Sequence, residues 1–278
     1  MVVAPGVYDG LSARVVEQHG FDAVYLSGGA VARSTGVPDL GLLTLSETAA
    51  RLAQVVDAVS VPVVADADTG YGNPLNVRRT VTEFERAGAS ALHLEDQVTP
   101  KRCGHYQSKE LIDRTQMTAK IRAALDARTD PDLIVIARTD AIATEGTDAA
   151  IARARDYARA GADLLFVEAP TSVAEVEWIA DEVDHPLVIN MFAGGKTPLI
   201  PADQLATYGY KLMIVPSDLQ RAAVQAMADA ASVLRRDGST HAYTDRMASF
   251  SARDALVGLD HFEALETCYA THHPITSS

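Results

Sequence analysis

Cysteine is scarce in this chain: Cys103 and Cys268 are the only two among 278 residues. So few cannot build a disulfide framework, which points to a reducing compartment and leaves a thiol free to react. Positive charge is short as well. Lys and Arg number 24 against 37 Asp and Glu, a formal net charge of -13. That balance argues against nucleic-acid binding, which needs a basic face, and against docking on anionic lipid. An anionic ligand would then need a local positive site or a metal. Long hydrophobic runs are also missing, and the apolar stretches of a few residues fall well short of a membrane span. The opening "MVVAPGVYDG" has neither the charged leader nor the apolar stretch of a secretory signal. The expected location is the cytoplasm.

What the chain does have is apolar residues at 47%, enough for a sizeable core, arranged in short runs rich in Val, Ile and Leu. These are 2–4, 23–26, 61–66, 91–96, 133–138, 164–169, 187–191 and 211–216. Near-continuous hydrophobicity marks strands buried on both faces of a parallel sheet. Most intervals carry helix signals. "NPLNVRRTVTEFERAGA" opens on Asn-Pro and closes on Gly, and "LTLSETAARLAQVVDAV" repeats apolar residues at three and four positions. Eight strands alternating with helices predict an α/β fold, a (β/α)₈ barrel. An open doubly wound sheet is the competing arrangement, but no G-x-G-x-x-G follows a first strand. The chain reads as one barrel domain, 1–278, with a helical extension from about 240 that packs on a neighbouring subunit.

A barrel of this kind places its chemistry at the carboxyl ends of the strands. Those ends read "SGG" (Ser27, Gly28, Gly29), "DADTGYG" (Asp66, Asp68), "HLEDQ" (His93, Glu95, Asp96), "ARTD" (Arg138, Asp140), "VEA" (Glu168), "NM" (Asn190) and "PSD" (Pro216, Ser217). Crowded carboxylates repel unless a cation or proton intervenes. Asp66, Asp68 and Glu95 suit Mg²⁺, which takes few carboxylates and keeps much of its water; Mn²⁺ is the alternative ion. Asp residues at such turns also cap helices, but that role does not account for the whole set at one mouth. "SGG" reads as backbone N–H groups for an oxyanion, or as a plain tight turn. Arg138 can grip a carboxylate through two parallel hydrogen bonds, or form a buried salt bridge to Glu168 or Asp68. After the fourth strand, "TPKRCGHYQSKE" gathers Lys101, Arg102 and His105 around Cys103. Neighbouring cations lower a thiol's pKa and suit it to proton transfer. Cys268, in an apolar helix, reads as a small core residue.

The run "KRCGH" resembles the signature of the isocitrate lyase and phosphoenolpyruvate mutase superfamily, and "YLSGGA", "GVPDLG", "DADTGYG", "LHLEDQ", "IARTDA" and "NMFAGGKTP" fall in that family's order. The resemblance covers nearly the whole chain. It implies a Mg²⁺-dependent barrel acting on a small carboxylate, and a homotetramer that exchanges its last helix between subunits. Asp66 and Asp68 would hold the metal, assisted by Asp39 and Glu95. Ser27, Gly28, Gly29 and Arg138 would hold an α-keto acid portion, with Tyr25 as candidate base. Gly104, Glu168, Asn190, Pro216 and Arg221 would complete the pocket. Lys101 and His105 would supply lid charge, and Cys103 a proton. The run "KRCGH" points to the carbon–carbon lyases, and Phe166 resembles the methylisocitrate lyase residue that leaves room for a methyl group. The implied reaction cleaves a 2-hydroxy di- or tricarboxylate of the 2-methylisocitrate type to pyruvate and a succinate-type acid, with 2,3-dimethylmalate cleavage on the same scaffold as an alternative. Two positions depart from the methylisocitrate pattern. Phe250 stands where a second arginine is expected, and "NMFAGGKTP" is closer to the dimethylmalate lyase and oxaloacetate hydrolase form, with Ala193 in place of Glu. Oxaloacetate hydrolysis or decarboxylation, or a non-catalytic dicarboxylate-binding barrel, are the other readings.

Overall fold

The eight apolar runs become eight short strands in a computed structural model that describes residues 1–102 and 109–270. They are β1 (Val2–Val7), β2 (Val24–Leu26), β3 (Val63–Asp66), β4 (Ala91–Glu95), β5 (Ile134–Thr139), β6 (Leu164–Val167), β7 (Leu187–Asn190) and β8 (Tyr210–Val215). Each pairs in parallel with the next, and β8 returns to β1 to close the barrel. The closure is tight: a Cβ on Gly6 would lie 2.3 Å from the Pro216 carbonyl oxygen, so only glycine fits there.

The helices begin where the side chains can satisfy free backbone N–H groups. Asn73 accepts from the N–H groups of Leu75 and Asn76 and opens the helix Pro74–Arg86. Thr44 and Glu47 cap the helix Leu45–Val56 reciprocally. Gly161, with φ 103°, ends the helix Thr147–Ala160.

Strand side chains alternate between two faces, and the barrel has two cores to match. Leu26, Ala65, Leu92, Leu94, Val135, Ala137 and Leu165 pack outward against the helices. Tyr25, Val64, Ala91, Ile136, Phe166, Val188 and Ile214 fill the interior.

The described residues fall into two compact units, Met1–Arg221 and a second that begins at Ala222. In the second unit Tyr243 is buried and donates to the Ala226 carbonyl at 3.1 Å. The helices Phe250–Leu256 and Leu259–Ala270 bury no residue.

Candidate active site

The strand alternation decides which polar residues share the barrel mouth. Counting by twos from the interior residues gives Asp66 from Val64, His93 and Glu95 from Ala91, and Arg138 and Asp140 from Ile136. Glu168 follows from Phe166 and Asn190 from Val188 in the same way. Cross-strand register puts Asp66 opposite His93 and Glu95 opposite Arg138. A cavity of 330 Å³ opens above this layer. It is lined by Tyr25, Ser27, Gly29, Asp39, Asp66, Lys101, Arg138, Glu168, Asn190, Pro216 and Arg221 from the sequence reading. Gly28, Asp68 and Glu95 are not among its lining residues. Cys103, Gly104 and His105 lie outside the described residues.

Asp66 is held by three donors. Its Oδ2 accepts from the Gly28 N–H at 3.2 Å and the Tyr25 hydroxyl at 3.3 Å, and its Oδ1 from the Asp68 N–H at 3.0 Å. A Cβ on Gly28 would come within 2.7 Å of Asp66 Oδ2, so glycine is required. "SGG" is therefore more than a tight turn: Ser27 caps a short helix, Gly28–Ser34, and its hydroxyl accepts from Ala30 N–H at 3.3 Å. Tyr25 Oη also lies 2.8 Å from His93 Nε2. His93 is buried, stacks on Tyr25, and leaves Nδ1 without a hydrogen-bond partner among the described residues. The tautomer protonated at Nε2 leaves only a bare acceptor at Nδ1, and lets the phenol donate to Asp66. Burial, reinforced by Asp66, holds the Tyr25 phenol well above its ordinary 10.0.

Lys101 is the surprise of the acidic cluster. Its ammonium sits 2.7 Å from Asp39 Oδ1 and 2.9 Å from Asp68 Oδ1, between two of the acids expected to serve a metal. It is 6% exposed. Burial works against its charge, but Asp68, Asp66, Glu95 and Asp39 outweigh it and hold the amine well above 10.5. Even so, the cluster is over-supplied with carboxyl groups. Burial pushes Asp68 up to about 6 against the pull of Lys101, and pushes Glu95 well above the usual carboxylate range against Arg138. Glu95 Oε1 is buried without a hydrogen-bond partner among the described residues. Asp68 sits at φ 47°, a backbone position that non-glycine residues seldom take outside functional sites.

An orphaned carboxylate oxygen and an all-oxygen donor set fit a hard, hydrated divalent cation such as Mg²⁺. Among the described residues no three His, Cys, Asp or Glu side chains are gathered into a ready ligand set. The fit is to an ion bound by one or two carboxylates and its own water, not to a closed cage.

Arg138 is buried and locked in a fork. Its Nε and Nη2 each donate to Asp140 at 3.0 Å, with Glu95 at 3.4 Å and Glu168 at 3.8 Å. The salt bridge expected to Glu168 is thus long, none is made to Asp68, and the main partner is Asp140. Lys109 donates to Asp140 at 2.7 Å, so two cations share that carboxylate and leave Arg138 charge for a ligand. The Arg138 guanidinium lies 5.1 Å from the centre of the Phe166 ring. Asn190 donates to Glu168 at 3.1 Å while its Oδ1 is buried and unpartnered among the described residues. Arg221 bonds the Ala193 carbonyl and lies 3.5 Å from Asp218 Oδ1.

Asp96 belongs elsewhere. It accepts from Thr139 and Tyr157 hydroxyls at 2.7 Å, the Asp140 N–H at 2.9 Å and Arg153 at 3.2 Å, and so braces the end of β5. Sequence reasoning named His93, Asp96 and Asp140 as strand-end residues without giving them work. It passed over Lys109 and Arg33 entirely. The even spacing of 93, 95 and of 138, 140 was the available signal for His93 and Asp140.

Residues 1–235 match the family described as phosphoenolpyruvate phosphomutase. The chain is 44% identical over 272 residues to the 2,3-dimethylmalate lyase of Eubacterium barkeri, covering 98% of this chain and 94% of that protein. It is 45% identical over 263 residues to the 2-methylisocitrate lyase of Aeropyrum pernix, covering 95% and 85%. The crystal structure of a 2,3-dimethylmalate lyase superposes with a TM-score of 0.91 at 40% identity, over 98% of this chain and 91% of that one. A phosphonopyruvate hydrolase in complex with oxalate and Mg²⁺ superposes with a TM-score of 0.88 at 32% identity, over 97% and 94%. A closed eight-stranded barrel, with Arg138 and a buried acid cluster at its mouth and this likeness along its whole length, makes the chain a member of the phosphoenolpyruvate mutase/isocitrate lyase superfamily.

Proposed function

We propose that the chain, a carbon–carbon lyase of this superfamily, cleaves the C2–C3 bond of a 2-hydroxy di- or tricarboxylate of the 2-methylisocitrate type. The products are pyruvate and the acid built on C3, which is succinate when the substrate is 2-methylisocitrate. The observation that carries this reading is Arg138. It lines the cavity beside the acid cluster, with its counter-charge shared by Lys109, as a cation that must take a substrate carboxylate needs.

Arg138 takes the C1 carboxylate, with Ser27, Gly28 and Gly29 beside it. Asp66 and Asp68, with Asp39 and Glu95 in support, are the residues that would hold Mg²⁺. When bound there, the ion supplies positive charge that favours the C2 oxygen as an oxyanion. The hydroxyl proton leaves to a carboxylate through water, or to Tyr25 as that phenol passes its own proton to Asp66, 3.3 Å away. The C2 carbonyl forms as the C2–C3 bond breaks, and the electron pair moves into the carboxylate of the leaving acid. Asn190 and the cations lining the cavity stabilise that charge. Cys103 then gives its proton to C3. Exposed apolar residues of the second unit, among them Phe250, Phe262 and Tyr269, support helix exchange within a homotetramer.

The alternative within the same reaction is 2,3-dimethylmalate, favoured by "NMFAGGKTP" and Ala193. The test is incubation of the full chain and Mg²⁺ with 2-methylisocitrate, 2,3-dimethylmalate, isocitrate and oxaloacetate, with products identified. Pyruvate with succinate from the first supports the proposal. Oxalate from oxaloacetate, with no pyruvate from the others, refutes it.

A further inference from the structure

We propose that Arg33 is a further specificity-determining residue, a cation that takes a carboxylate of the leaving acid remote from the bond cleaved and so selects a tricarboxylate over a dicarboxylate. The inference rests on the lyase reading above and names its substrate class. Arg33 lies in the last turn of the short helix Gly28–Ser34, and helical side chains lean back toward the helix start. Its guanidinium accordingly returns over Gly29, four residues earlier. A Cβ on Gly29 would lie 2.8 Å from Arg33 Nη1, so the missing side chain is what admits the guanidinium there.

Arg33 lines the same cavity as Arg138, Lys101 and Arg221. Lys101 is committed to Asp39 and Asp68 and Arg221 to the Ala193 carbonyl with Asp218 nearby, while Arg138, which shares Asp140 with Lys109, has its charge assigned to the C1 carboxylate. The Arg33 guanidinium makes no hydrogen bond or ion pair among the described residues, although Asp39 Oδ2 lies as close, 2.8 Å, to the same point over Gly29. A planar cation left without an acceptor at a cavity wall is suited to a ligand carboxylate. Its position is fixed relative to Arg221. Gln220, buried beside Arg221, donates to the Ala30 carbonyl at 2.8 Å and ties the start of the helix Asp218–Asp237 to the helix that bears Arg33. Arg138 already serves the C1 carboxylate in the proposed reaction. The second charged wall is therefore available to a group farther along the substrate.

The test measures binding of succinate and of oxalate to the full chain with Mg²⁺ by calorimetry, in wild type, Arg33→Gln and Arg33→Lys. Oxalate has no remote carboxylate and also reports that each variant is folded. The proposal expects Arg33→Gln to weaken succinate roughly tenfold to hundredfold, the usual range for a lost charged hydrogen bond, with oxalate unchanged. Arg33→Lys should recover most of the loss. The ratio of kcat/KM for 2-methylisocitrate over 2,3-dimethylmalate should fall with Arg33→Gln by a similar factor. Succinate binding that is absent in the wild type or equal in wild type and Arg33→Gln overturns the subsite. No turnover of any lyase substrate, with succinate binding still dependent on Arg33, would instead overturn the lyase reading and leave the subsite standing.

Discussion

Arg138 shows how one residue's function depends on charges it does not carry. Surrounded by Asp140, Glu95 and Glu168, it would be fully spent without Lys109. Arg138→Lys keeps the charge but loses the fork, and kcat/KM should drop by about a hundredfold with the melting temperature little changed. Cys103→Ser tests the proton donor: turnover should fall by at least about a hundredfold, while oxalate binding stays near wild type. Asp140 also gives a pH signature. Burial opposes its ionisation, but Arg138 and Lys109 outweigh it and hold the carboxyl below the usual carboxylate range. A depressed carboxyl stabilises the fold above its unfolded pKa, about 4, and that contribution fades as pH falls further through the folded value. The gap between melting curves of wild type and Asp140→Asn should therefore be full at pH 6 and start to narrow only as pH falls below about 4. A constant gap would contradict the assignment.

At the scale of elements, strands buried on both faces were legible because they leave continuous apolar runs, and the observed ends lie within a few residues of those read from sequence. The acid set was legible for the same reason: polar residues at the ends of such runs have nowhere to go but the mouth. The helix Gly28–Ser34 was not legible, because two glycines after a serine read as a turn. With it went Arg33, whose position over Gly29 follows only once the helix is known. The Arg138 partner was sought across the barrel, at Glu168 or Asp68. Alternation along a single strand would have pointed to Asp140, two residues on. Asp96 belongs to this scale as well. Its carboxylate gathers four donors from the end of β5, the residue after it and the helix Thr147–Ala160, so Asp96→Ala should destabilise the barrel by about 3 to 5 kcal/mol. That should lower the melting temperature by roughly 10 °C.

For the whole molecule, a chain of net charge -13 would have to concentrate its cations where an anionic substrate of the proposed kind binds. Lys101, Arg138, Arg33 and Arg221 do this around one cavity. Chelation by EDTA should abolish turnover, and Mg²⁺ or Mn²⁺ should restore it, because Asp66, Asp68 and Glu95 otherwise lack a divalent counter-charge. The measurement that bears most directly on the central claim is product analysis with 2-methylisocitrate and Mg²⁺. The account predicts pyruvate and succinate in equal amounts, with turnover lost in Cys103→Ser. Unchanged 2-methylisocitrate and 2,3-dimethylmalate, beside oxalate and acetate formed from oxaloacetate, would contradict it.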